Sequence, residues 1–345
     1  MTDGDSPEAS SPHPQTSTPS IGRGAVTMFL GRGVTLVFSL AGLLLFPALL
    51  GPEAHGWFQY YLSLQLFLLG FLNGCAAPIT AHYVALYRVS DPPRQGILLK
   101  QVFRWFLVLF LGVAAIRFLL PDPRGYWWIY VSVGFSGCSQ MLASALYGLG
   151  RLGTITWFPV LSLIMRMTLI CGFGWWVSQT LSLEEMGAWG TRMVPPLLVL
   201  STLPAWFWMV GSFLKNSNNW FIPDPKSEVR AAHAFPWEEI RDFGFAALLG
   251  QILFQSFTRS LPVLAGQMGY PAAHLGYLGL STQAFGQTIF IAGFFSVALY
   301  PWLVSAGGEK DWDRFSRLQS VAWRLSAFLG GWLVVGTLVL IYPAV

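Results

Sequence analysis

Charge is what this chain has least of. Charged side chains make up 10% of its 345 residues, 20 Lys and Arg against 16 Asp and Glu. Soluble domains carry about 25%, so the shortage excludes an ordinary water-soluble globule, although the length would hold two. Cysteine is scarce as well. Cys75, Cys138 and Cys171 all fall inside apolar runs, with no CxxC or Cys/His spacing. That excludes a disulfide framework and gives no metal signature; reduced, packed thiols are expected. No GxSxG, HExxH or P-loop pattern occurs, and nothing signals a cofactor or an enzyme. What is plentiful is apolar: 54% hydrophobic and 16% aromatic residues, with a mean hydropathy of +0.54. This is the composition of an all-α polytopic membrane protein. The net charge of +4 reflects loop topology and does not point to nucleic acid.

Residues 1–24 are polar and rich in Ser, Pro and Thr, and read as a disordered tail. They are no signal peptide, because Asp3, Asp5 and Glu8 make the start acidic. Apolar runs follow at about 25–50, 57–84, 102–120, 126–148, 154–178, 191–213, 243–266, 275–304 and 321–343. Each is near the ~20 residues that a ~30 Å hydrocarbon layer requires, so nine spans are expected. Loops after the even-numbered spans, with adjoining helix starts, hold thirteen Lys and Arg, among them Arg88, Arg94, Arg151, Lys215, Arg241, Arg314 and Arg317. The opposite side holds three, Arg117, Arg124 and Arg192. Basic residues stay inside, so the tail and the even-numbered loops are expected to be cytoplasmic. The chain then divides into a six-helix lobe (25–213), a cytoplasmic linker (214–242) and a three-helix start of a second lobe (243–345). Pro236-Trp237-Glu238-Glu239-Ile240-Arg241-Asp242-Phe243 reads either as a short amphipathic helix on the membrane surface or as solvated linker.

The chain matches itself at an offset of 220. Gly56 meets Gly276, Val84 meets Val304, Asp91 meets Asp311, Arg94 meets Arg314 and Arg104 meets Arg324. Six intervening helices leave the second copy in the same orientation, a parallel repeat about the membrane normal, as transporters often have.

Gly31-Arg32, then Leu50-Gly51-Pro52-Glu53-Ala54-His55-Gly56-Trp57-Phe58, resemble the polysaccharide-export flippases of the MATE-like superfamily, the Wzx or polysaccharide-transporter group, which typically show LGPxxxGxYxL there. The runs 274–281 and 299–303 and the charged loop 307–317 fit the second half, so the resemblance covers about 25–345. It implies a MATE-like helical bundle of two six-helix lobes around a cavity open alternately to either leaflet. It also implies flipping of an isoprenoid-pyrophosphate-linked oligosaccharide from the cytoplasmic to the outer leaflet of a bacterial inner membrane. Implied partners are that substrate, membrane lipid and glycan polymerase or glycosyltransferase proteins. Such proteins usually have at least twelve spans, so the chain is expected to be either a truncated coding sequence, the favoured reading, or a degenerate member that must find partner helices.

Arg32, Arg166 and Arg259 fall inside spans one, five and seven, whereas all sixteen acids lie in the tail, the loops or helix ends. A membrane-buried arginine costs from ~3 to more than 10 kcal/mol, so it faces a cavity or a partner. Without an acid at that depth an anion is the economical partner, and pyrophosphate suits the guanidinium fork. The alternatives are snorkelling for Arg32 and carbonyl hydrogen bonds for Arg166 and Arg259. Gln251 and Gln255 precede Arg259 at i−8 and i−4 and read as a polar cavity face. Gln283 with Gln287, and Gln59 with Ser63, could bond sugar hydroxyls or serve as interhelical glue. His82 reads as a lone structural histidine, and Trp127, Trp128, Trp175, Trp176 and Trp220 as interfacial belts. A drug exporter of the same superfamily would be expected to carry intramembrane carboxylates. Two further readings stay open: a non-transporting membrane subunit of a glycan export complex, and a membrane-embedded glycan polymerase or ligase.

Overall fold

The computed structural model describes residues 21–90, 92–118, 127–180, 182–217, 236–308 and 310–341. The polar tail up to residue 20, the linker stretch 218–235, Arg124 and Trp220 lie outside the described residues, as does the side chain of Arg117. Nine helices follow in order: α1 (Ile21–Asn73), α2 (Ala76–Ser90), α3 (Pro92–Phe118), α4 (Trp127–Gly148), α5 (Leu152–Thr180), α6 (Leu183–Ser217), α7 (Trp237–Gln267), α8 (Ala272–Gly308) and α9 (Trp312–Ile341). There is no strand among the described residues.

Local chemistry sets the boundaries. Gly51 breaks α1 with φ 73 and ψ 168, values that a residue with a Cβ rarely adopts, and Pro52 restarts the helix where a missing N–H does no harm. The first two expected spans are therefore one helix in two arms. The second arm breaks again at Gly74–Cys75, before α2. A methyl at Gly74 would lie 2.8 Å from Leu248, so this break lets α7 come close. Two expectations change. The first helix begins at Ile21, inside the stretch assigned to the polar tail. The run 237–243 is no separate surface helix but the first two turns of α7, because Ile240 is buried and Gly244 is held against Ile79 with nothing to stop the helix between them.

Among the described residues, five helices are long and apolar enough to cross a membrane: Leu30–Asn73, Arg94–Gly112, Trp127–Gly148, Gly153–Thr180 and Arg192–Lys215. Their outer faces are apolar, with Leu44 72% and Trp175 64% exposed. Such a surface would aggregate in water and suits lipid. The protein is a helical bundle compatible with a multi-pass membrane protein. Fewer helices meet this criterion than the nine runs of the sequence. Gln251, Gln255 and Arg259 lower the apolarity of α7, and Arg314, Arg317 and Arg324 that of α9.

Glycines mark where the helices touch. The first arm of α1 runs parallel to α5, with Gly31 on Thr156, Gly42 on Met167 and Gly174 on Leu49 and Leu50. Helix α4 runs parallel to the second arm and α2, tied by buried polar bonds. Gln65 Nε2 donates to Ser132 (2.7 Å) and Ser136 (3.1 Å), and Asn73 Nδ2 donates to the Gly137 carbonyl (3.1 Å) and Gln140 (3.2 Å). Helix α7 lies antiparallel on the second arm, with Gly266 on Tyr60 and Gly70 on Gln255.

The second arm and α8 form the central seam. They run parallel in the register of the sequence repeat: Gly276 faces Gly56, its mate at offset 220, and Gly279 faces Gln59, its own mate. Helix starts recur at the same offset, Pro52 with Ala272 and Pro92 with Trp312. Residues that touch their own repeat mates lie on a pseudo-twofold axis, here along the helices.

The packing also defines two ends. One gathers the start of α1, the loop between α4 and α5, and the α8–α9 turn, with Arg94, Arg151, Lys215, Arg241, Lys310, Arg314 and Arg317. The opposite end holds the kink, Glu53, Glu185 and Arg192.

Candidate functional site

Arg166 lies fourteen residues from either end of α5 (Leu152–Thr180), about 21 Å along the axis at 1.5 Å per residue. That exceeds half of a ~30 Å hydrocarbon layer, so its guanidinium is remote from either headgroup region. It is half-buried, and its Nε has no hydrogen-bond partner among the described residues. Arg259, on α7 eight residues before Gln267, is half-buried too, and its Nη2 lies 3.7 Å from where a methyl at Gly286 of α8 would sit. The charge of Arg259 is within electrostatic reach of Arg166, although α5 and α7 do not pack extensively. The two arginines stand on separate helices.

Every acid among the described residues lies at a helix end: Glu53 beside the kink, Glu184 and Glu185 opening α6, Glu238, Glu239 and Asp242 opening α7, Asp311 and Asp313 opening α9. None stands at the depth of the two arginines. For scale, like unit charges roughly 8 Å apart at an effective dielectric of about 20 repel by about 2 kcal/mol, in addition to the cost of desolvating each. An anion between them reverses that sign and supplies acceptors for both forks.

Arg32 does not join this pair. It lies beside Gly31, whose Cα faces Thr156, and within electrostatic reach of the Tyr147 phenol. Thr35, on the same face, spends its hydroxyl on the Gly31 carbonyl (2.8 Å). Tyr147 stacks on Tyr300 (6.2 Å), Tyr300 meets His82 Nδ1 (3.2 Å), and His82 stacks on Phe243 (4.9 Å). This cluster joins α1, α4, α8, α2 and α7 at the basic end. Beside it opens a cavity of about 540 Å³ lined by His82, Phe243, Tyr300, Leu303, Trp312 and Phe315, with Leu86, Val304 and Gly307. Apart from His82 and Tyr300 its wall is apolar, suited to hydrocarbon.

The glutamines divide. Gln59 Nε2 donates to Gln283 Oε1 (3.1 Å) across the central seam. Gln251 and Gln255 lie on Gly74 and Gly70, where α7 meets the second arm. The side chain of Gln287 lies outside the described residues. Reading the sequence missed the tyrosine–histidine cluster; its signal was three polar aromatics near helix ends. It also missed His55, which is 2% exposed in the seam. No group of His, Cys, Asp and Glu that could hold a metal occurs among the described residues, and the three thiols are half-buried and free. No family model, no curated protein and no solved structure matches the chain.

Proposed function

We propose that this chain is a membrane transporter of MATE-like architecture that flips an isoprenoid-pyrophosphate-linked oligosaccharide from the cytoplasmic to the outer leaflet of a bacterial inner membrane. The observation that carries the reading is the Arg166–Arg259 pair: two guanidiniums within electrostatic reach, deep along their helices, with no acid at that depth among the described residues. A pyrophosphate supplies two charges and bidentate acceptors, and one anion satisfies both forks. In this reading nine spans cross the membrane, the basic end is cytoplasmic by the positive-inside rule, and the parallel seam between α1 and α8 is the axis about which two halves rock. Arg32 and the tyrosine–histidine cluster stand at the cytoplasmic mouth, beside the apolar cavity, where a lipid-linked anion would arrive. Gln59 and Gln283 bond to each other in the seam and open to sugar hydroxyls when the halves part.

Deleting the gene and locating the lipid-linked glycan tests the proposal. Accumulation in the inner leaflet supports a flippase. Altered chain length indicates a polymerase, and unchanged glycan refutes both.

A further inference from the structure

His55, Gln59 and Ser63 lie four residues apart on one face of the second arm of α1, 2%, 1% and 0% exposed. Each keeps a buried atom without a partner among the described residues: His55 Nδ1, Gln59 Oε1 and Ser63 Oγ. Such orphans are rare in packed proteins and call for a reason.

The contacts supply one. Gln59 Nε2 stands 3.4 Å from His55 Nε2 and 3.1 Å from Gln283 Oε1. A carboxamide nitrogen only donates, so His55 Nε2 is the acceptor and the neutral ring carries its proton on Nδ1, where no acceptor waits. A proton added at Nε2 converts that acceptor into a donor facing another donor. The Gln59 carboxamide must then turn. Turned, it offers its unused Oε1 to the Nε2–H and withdraws the N–H that held Gln283 of α8.

Nothing charged among the described residues competes for the ring. On its own helix Glu53 is exposed beside the kink. From α8 the ring meets Gly276, 3.4 Å from Cδ2 to a methyl placed there, with His274 exposed. From α6 the neighbouring backbone is Gly190, against Ala54, with Arg192 exposed. From α7 Gln267 is bonded to the Tyr60 hydroxyl (2.7 Å). From α5 Gly174 meets Leu49 and Leu50. The ring lies four residues past Gly51, about 6 Å along the helix, and so is nearer the end opposite the basic one.

We propose that His55 is the proton-binding site that couples this transporter: a proton taken up from the outer side at Nε2 turns the Gln59 carboxamide and releases α8 from α1 at Gln283. The inference rests on the transport reading. It places coupling on an imidazole, the one protonatable side chain buried in the seam, in a bundle whose acids, among the described residues, all lie at helix ends.

The test uses the full chain in liposomes, with its native cysteines replaced and spin labels at Glu53→Cys and Tyr277→Cys, two exposed positions flanking the seam. The inter-label distance is expected to shift on acidification from about pH 8 to about pH 3.5, a window wide enough for a deeply buried imidazole, and to be independent of pH in His55→Gln. A wild-type distance that does not change with pH, or an unchanged response in His55→Gln, overturns the proposal. Should His55→Gln fail to fold, NMR of ¹⁵N-histidine in the unsubstituted chain decides: protonation of His55 Nε2 within that range supports the site, and a ring that stays neutral overturns it. Flux of lipid-linked glycan in the same liposomes reports separately. No flux with an intact pH response defeats the transport reading and with it the coupling role, while leaving the proton site standing.

Discussion

Gly56→Ala perturbs the seam at the point where the repeat mates meet. A methyl at Gly56 would collide with the backbone carbonyl of Ala272. The obstacle is main chain, so no rotamer change relieves it. Normal carbon contacts need 3.5–4.0 Å, so α1 and α8 must part by on the order of 1–2 Å. Overpacking of this kind costs about 1–3 kcal/mol. The same displacement stretches the 3.1 Å Gln59–Gln283 bond beyond ~3.5 Å, where it no longer holds, for roughly another 1 kcal/mol. The expected total is about 2–4 kcal/mol, read as a fall in denaturation midpoint in detergent. Gly33→Ala is the control: nothing lies within 4 Å of a methyl there, and it should stay within ~1 kcal/mol of the parent. Equal stability of the two variants would refute the seam.

Tyr300→Phe removes the bond to His82 Nδ1 and keeps the ring stacked on Tyr147; a loss of about 0.5–1.5 kcal/mol is expected in the same unfolding assay. At the start of α6, the Ser182 N–H and hydroxyl both donate to Glu185 Oε2 at 2.9 Å, and the Glu185 N–H points back to Ser182 Oγ, a capping box. Those bonds hold the Glu185 carboxyl below its ordinary value. A carboxyl lowered in the folded state stabilises fully above the unfolded value of ~4.3 and loses that contribution as pH falls through the folded value. Ser182→Ala takes away the hydroxyl donor and keeps the backbone N–H, so it should raise the Glu185 titration part of the way toward ~4.3, as followed by carboxyl NMR, and lessen the acid sensitivity of α6.

The helical, apolar character of the bundle was legible in the sequence because membrane helices leave a one-dimensional signal in apolar length, and the repeat at offset 220 recurs as the register of α1 against α8. Single helix ends were legible where glycine or proline sets them, as at Gly51-Pro52. The extent of α7 was not, since an amphipathic opening of a long helix has the same local pattern as a separate surface helix. Arg166 and Arg259 stood out one by one through their cost in hydrocarbon, but their approach depends on the rotations of α5 and α7 about their own axes. The bond between His82 and Tyr300, 218 residues apart, was equally hidden. In the sequence His55 is one residue of the run Leu50–Phe58, with nothing local to mark it. Its burial follows from Gly56 and Gly276 letting two backbones close over it, a consequence of tertiary approach.

In the proposed transporter Arg166 and Arg259 hold a pyrophosphate. Binding of an isoprenoid pyrophosphate to the purified full chain, compared with Arg166→Gln and Arg259→Gln, tests it most directly. A charge-assisted hydrogen bond contributes about 1.5–3 kcal/mol, so each substitution should weaken binding roughly 10- to 100-fold, while the matching isoprenoid alcohol binds all three proteins alike. Pyrophosphate binding that survives both substitutions, or equal binding of the uncharged alcohol by the parent protein, would contradict the account.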